Sequence, residues 1–179
     1  MQAFWDNGYC ATSVSQLVEA TRLKPGSLYA AFDSKEGLFL AALDHYAQQS
    51  IERLDQALGD SRTPLQGVEG FLRGLIAAQY ATVPPRGCLL VNTALELGRR
   101  NAEIRERIAA HLAGIESRLR QALERAERQG SLAADASPAA LAKLLMTTIW
   151  GLRVMAGTGA DEAQATQVVD QVVAMLHPR

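Results

Sequence analysis

The stretch Thr12–Tyr46, TSVSQLVEATRLKPGSLYAAFDSKEGLFLAALDHY, decides the fold. It holds two short helical patterns with almost nothing between them, followed by a long one. Thr12 or Ser13 can cap the first, since either side-chain oxygen accepts an orphan backbone N–H. Val14, Leu17 and Val18 then fall on one face. Arg22 and Leu23 leave room only for a tight turn. Pro25 suits the first position of a new helix, where its missing N–H is no loss. That second helix, Pro25 to about Ala31, is too short to stand alone in water. Two short helices joined by a turn of about 3–4 residues form a helix-turn-helix, whose second member enters the DNA major groove.

The side chains on that second helix fit the task. Lys24, Ser27 and Tyr29 offer a charge, a hydroxyl and a phenol, Pro25 opens the segment, and Gly26 lets backbone approach a phosphate. Leu28 and Phe32, four apart, can hold it to the body. Asp33 or Ser34 caps the next helix and places Lys35 in its first turn, where the helix dipole prefers anions. A phosphate arriving there would satisfy both the lysine and the free N–H groups. Spacing alone also allows a plainer arrangement, two surface helices with a solvated lysine.

The run Thr12-Ser13-Val14, then Leu23 through Tyr29, Phe32, and Ser34-Lys35-Glu36-Gly37-Leu38 resembles the DNA-binding signature of the tetracycline-repressor (TetR) family. About a quarter of the chain carries the match, spread over three successive elements. The resemblance implies a homodimeric, ligand-responsive transcriptional repressor on double-stranded operator DNA. Thr12, Lys24, Ser27, Tyr29 and Lys35 match positions that meet DNA in the family, Tyr29 and Lys35 chiefly at phosphates. Pro25 stands where many members carry lysine, and Ala30 and Ala31 stand where bulkier residues or histidine are common, so base specificity does not transfer.

At 179 residues the chain can bury a sizeable core. The expected division is 1–46 for the DNA-binding domain and 47–179 for a helical effector-binding and dimerisation domain, all-α throughout. Charge is the counterweight. The chain carries a net −1, and residues 1–46 hold Arg22, Lys24 and Lys35 against Asp6, Glu19, Asp33, Glu36 and Asp44. DNA binders usually show a basic footprint. Met1–Asn7 looks like the end of a helix stopped by Gly8, with Phe4 and Trp5 packing on the next two helices. TetR-like chains carry about two further turns there and a basic arm, so the first helix is expected to be incomplete and the native start to lie upstream. No signal peptide is expected, nor any apolar run of the roughly 18 residues that span a membrane. Two cysteines, Cys10 and Cys88, form no disulfide framework and suit a reducing cytoplasm, with Cys10 a packing residue.

The body continues as helices. Ser34 to about Leu58 is long. Pro64 to about Thr82 follows and is broken by Val83–Gly87, and Cys88–Leu97 is short and mostly apolar. Asn92 and Glu96 are its polar exceptions, placed to face solvent, cap a neighbour or line a cavity. Asn101–Gln129 carries an apolar stripe and a solvated face with Glu103–Arg107, Glu116–Arg120 and Glu124–Arg128 pairs, each worth about 0.2–0.5 kcal/mol. Ser137 to about Ala156 and Asp161–Leu176 are apolar over more than one face, which suits a two-fold four-helix interface through Leu145, Ile149, Leu152, Val168, Val172 and Met175. The plainer alternative is that they complete one core.

An effector cavity is expected in the helical body, with Phe71, Gln79, Asn92, His111 and Trp150 as candidates by position, each also readable as core or surface. Cys88 follows Pro85-Arg86-Gly87 and opens a helix, where a positive helix end and a nearby cation favour a reactive thiolate. A Gly-Cys there resembles that of electrophile- and hypochlorite-responsive TetR repressors; a small buried thiol is the plainer alternative. His45, His111 and His177 are too scattered for zinc, and no catalytic or nucleotide-binding fingerprint is present, so neither metal nor cofactor is expected. An all-helical enzyme and a helical interaction protein without DNA activity are the rival classes.

Overall fold

A computed structural model describes residues 1–82, 85–134 and 136–178, and among them every regular element is a helix. In order these are α1 (Gln2–Ala11), α2 (Val14–Thr21), α3 (Pro25–Phe32), α4 (Lys35–Gly59), α5 (Pro64–Tyr80), α6 (Leu89–Leu97), α7 (Ala102–Arg128), α8 (Pro138–Gly157) and α9 (Glu162–Leu176). Caps set most boundaries. Ser13 begins α2 with a reciprocal box, its hydroxyl accepting the Gln16 N–H at 3.2 Å while Gln16 Oε1 accepts the Ser13 N–H at 2.7 Å. Asp161 forms the same box with Gln164 at α9, and Thr63 and Ser137 cap α5 and α8 by accepting the N–H groups of Gln66 and Ala140. Proline occupies the first turn of α3, α5 and α8. Of the expected breaker after α5, Val83 and Pro84 lie outside the described residues.

The helices form two compact units, one of Met1–Gln49 with Cys88–His111, the other of Ser50–Gly87 with Leu112–Arg179. In the first, Phe4, Leu17, Leu28, Phe39, Leu43 and Leu90 are buried, α1 packs on α6 and α2, and α2 packs on α3. Phe4 meets the Phe39 ring edge-on at 4.9 Å, and Trp5 meets Tyr46 at 5.0 Å, so both aromatic residues have ring partners on α4. In the second unit α5 packs on α8 and α9. Its core runs through Leu54, Val68, Leu72, Leu119, Leu123, Ala142, Leu145 and Val169.

Three expectations about the body change. α8 is long and apolar enough, by length and composition, to cross a membrane, against the expectation that no stretch is. Its apolar residues serve a core instead: Leu141, Ala142, Leu145, Met146 and Leu152 are buried in the second unit, and Lys143 and Arg153 interrupt the run. The charged face of α7 is not purely solvated. Arg107 reaches Asp44 at 2.8 Å and Arg118 reaches Asp55 at 2.8 Å, both across to α4. Arg120 pairs forward with Glu124 at 2.8 Å instead of back to Glu116, while Glu103–Arg107 closes at 3.6 Å. Arg107 and Arg118 meet carboxylates on a neighbouring helix, whereas Arg120 stays on its own helix and turns to Glu124.

Leu123 is fully buried and Leu95 is 73% exposed, although both are leucines on helices. Leu123→Ala is expected to lower unfolding stability by about 2–5 kcal/mol and Leu95→Ala by less than about 0.5 kcal/mol, read from urea denaturation midpoints.

Candidate nucleic-acid interface

Three residues, Arg22, Leu23 and Lys24, separate α2 from α3. Arg22 takes the left-handed conformation at φ 56°, which reverses the chain at the end of α2, and Lys24 is the N-cap of α3. Asp33, also at positive φ, closes α3 by donating its N–H to the Tyr29 carbonyl at 2.8 Å. Ser34 then caps α4, its hydroxyl accepting the Gly37 N–H at 3.0 Å. Gly37 is required at that point, because a Cβ would run into the Phe32 carbonyl.

This geometry sorts the α3 side chains. Leu28 is wholly buried, whereas Lys24, Pro25, Gly26, Ser27, Tyr29, Ala30 and Ala31 are exposed. Thr12 departs from the expected set. It is buried, and its hydroxyl donates to the carbonyls of Gly8 and Ala3, so it ties the end of α1 to its beginning and offers no side-chain contact outward. The adjacent hydroxyl, Ser13, is the cap. Lys35 is half-buried, with Nζ 4.5 Å from the Tyr9 ring centroid. The cation at an unfavourable helix end is thereby held over a π face.

A carboxylate that the sequence marked only as a polar exception proves central to this unit. Gly8, at φ +77°, breaks α1, and the chain resumes helical geometry at Tyr9. Glu96 of α6 sits at the restart and accepts the N–H of Tyr9 at 3.0 Å and of Cys10 at 2.8 Å. Of the three roles open to it, it caps a neighbour. Burial pushes the Glu96 carboxyl up, but the Cys10 and Tyr9 N–H groups, the Cys10 thiol and Lys35 outweigh it and hold the group below its ordinary 4.5. Cys10 is exposed, not a packing residue, and its hydrogen bond to Glu96, then burial, push its thiol up. Cys88 is half-buried at the N-cap of α6, with its carbonyl accepting the Asn92 N–H at 2.9 Å.

The five candidate effector residues are divided between the two units. Asn92 is exposed and His111 is bonded through Nε2 to Asp44 at 2.8 Å, both in the first unit. Phe71, Gln79 and Trp150 belong to the second. Phe71 is buried and borders a groove of about 300 Å³ with Arg53, Gly70 and Gly74. Gln79 is buried, donating to the Leu152 carbonyl at 3.1 Å and accepting from Arg153 at 2.9 Å. Together with Tyr80 and Ile149 these residues enclose about 10 Å³, room for a single water. Arg153 was missed, though with Lys143 it is one of the two cations inside the apolar run Leu141–Met155. The expected interface set also divides. Leu145, Leu152 and Val172 are buried within their own unit and Ile149 and Val168 partly so, which corrects the first three as outward contacts. Facing outward are Leu144, Trp150 and Val154 of α8 and Met175 of α9.

Two short helices at this spacing, with the second exposed along its polar face, define a helix-turn-helix regulator of transcription. The chain belongs to the TetR family: the family "Bacterial regulatory proteins, tetR family" matches residues 1–42 and "Tetracyclin repressor-like, C-terminal domain" matches 64–172. It is a transcription regulator and not an enzyme. It is 29% identical over 169 residues to the HTH-type transcriptional repressor ComR of Escherichia coli K12, covering 94% of this chain and 80% of that one. It is 31% identical to the transcriptional regulator AcuR of Cereibacter sphaeroides over 77% of this chain and 64% of that one. A solved structure of the TetR family regulator CifR, a cysteine mutant complexed with 26-bp double-strand operator DNA, superposes with a TM-score of 0.85 at 34% identity, covering 96% and 90% of the two chains.

A carboxyl held below its ordinary value stabilises the fold above that value, and the contribution fades as pH falls through the lowered one. Glu96→Gln is therefore expected to lower the urea midpoint fully above pH 4.5, with the gap to wild type closing at more acidic pH. Midpoints measured between about pH 3 and about pH 7 check this. A gap independent of pH would mean that the charge on Glu96 is not what matters.

Proposed function

We propose that this chain acts as a dimeric repressor that sets α3 into the major groove of a pseudo-palindromic operator and leaves it when a small molecule occupies the body. One observation carries the DNA half: Lys24, Pro25, Gly26, Ser27 and Tyr29 stand exposed on a short helix whose single buried anchor is Leu28. Lys35 at the start of α4 joins them as a phosphate contact, since a phosphate can displace the Tyr9 ring from the ammonium. Residues 1–46 are the reading head and 47–179 the effector-binding and dimerisation part. The operator complex of CifR supports the same use of DNA here. Chromosomal DNA places the protein in the cytoplasm.

The dimer face in this reading is the outward side of α8 and α9. Leu144, Trp150, Val154 and Met175 are 37–56% exposed and make up half of the exposed large apolar residues described. Gly151 lies between them with open space where a Cβ would stand, which permits close helix approach. A two-fold arrangement places one such face on another. For the effector, Gln79 and Arg153 form the polar end of a site that widens on uptake. An electrophile would instead act through Cys88, half-buried at the N-cap of α6.

Electrophoretic shift with DNA flanking the gene, at two salt concentrations, tests the reading. Affinity should fall steeply with salt as phosphate contacts release counterions. Lys35→Ala should weaken every sequence alike and reduce the salt slope by about 1. Loss at one operator alone would contradict a phosphate role, and absence of any shift would refute DNA binding. Val154→Asp should convert a dimer to a monomer in sedimentation equilibrium; an unchanged dimer would place the interface elsewhere.

A further inference from the structure

The second unit carries an open groove of about 370 Å³ where the end of α4 and the start of α5 meet the later part of α7. Arg62, Arg118 and Arg125 line it, and Asp55 is the one carboxylate among the lining residues. Three positive charges against one negative leave a local surplus of two in a chain whose net charge is −1. Arg118 is engaged: Nε lies 2.8 and 3.1 Å from the two Asp55 oxygens, and Nη1 donates to the Gly114 carbonyl at 3.2 Å. The side chains of Arg62 and Arg125 have no ion pair or hydrogen bond among the described residues. Thr63 and Pro64 bring the positive end of the 17-residue α5 to the same concavity.

We propose that this groove binds a small, multiply charged anion bearing phosphate or carboxylate groups, with Arg62 and Arg125 as its principal ligands. Arg118 shares its charge between Asp55 and the bound anion. Cations of one sign gathered in a concave surface focus their field on a counter-ion. The planar guanidinium fork matches both phosphate and carboxylate, two N–H groups to two oxygens. The volume lies in the range of small-molecule sites, roughly 300–1,000 Å³. The groove is polar and open, unlike the closed space beside Gln79, so it suits a hydrated anion and not an apolar effector. Its occupancy is independent of whether α3 reads DNA.

Isothermal titration of the full chain with inorganic pyrophosphate, and separately with citrate, at fixed ionic strength tests the assignment. Saturable binding of pyrophosphate alone assigns phosphate chemistry, of citrate alone polycarboxylate chemistry, and of both the shared one. The double variant Arg62→Ala, Arg125→Ala should weaken binding at least about tenfold. Asp55→Asn should tighten it about threefold by removing the competing charge. Lys35→Ala should leave it unchanged, which separates this groove from the DNA-binding head. No saturable binding of either probe, or wild-type binding by the double variant, would overturn the proposal.

Discussion

An eight-residue helix does not persist in water by its own hydrogen bonds, because nucleation fixes several residues for each bond gained. α3 persists because Leu28 is wholly buried, a contribution of about 1.5–3 kcal/mol. Two left-handed residues, Arg22 before it and Asp33 after it, are tolerated on the same account. Burying Leu28 also fixes rotation about the helix axis. Once that side chain points inward, Ser27, Tyr29 and the flanking positions have no choice but to point out. The presentation of α3 therefore follows from the burial of Leu28, in a unit where Leu17, Phe4 and Phe39 are buried as well.

Electrostatics complete what packing begins. A helix that stops at Gly8 and restarts at Tyr9 exposes fresh N–H groups in the middle of an element, and Glu96 supplies the anion they call for. The carboxylate comes from α6, so the start of the chain is tied to a segment more than eighty residues away. Lys35, over the Tyr9 ring, shares in that field. Head stability and the ionisation of one α6 carboxyl are thus linked.

How much of this was legible depended on how local the cause was. α2 and α3 were read nearly to the residue, because caps, proline and tight turns act within a few positions, whereas α1 continues past the expected stop at Gly8 to Ala11. Ser13 and Thr12 were the exception: two adjacent hydroxyls satisfy the same rule, and only the distant Ala3 carbonyl decides that Thr12 turns inward. Periodicity showed that α8 and α9 are apolar on more than one face but not which face meets its own core, so Leu145 and Val172 were placed outward and Leu144 and Val154 were overlooked. Arg107 and Arg118 were paired by helical spacing or left solvated, while aspartates on α4 hold them. Cavities were the least legible. Their walls come from helices far apart in sequence, and no pattern within one helix announces them.

Position 8 has a consequence for what this chain can become. A side chain there would strain the backbone at φ +77°, and its Cβ would stand 2.8 Å from a Glu96 oxygen. The backbone conformation disfavours any side chain there by itself, and the flexible Glu96 carboxylate could give way only by leaving the Tyr9 and Cys10 N–H groups. Position 8 is therefore held to glycine by its own backbone, whatever residue stands at position 96.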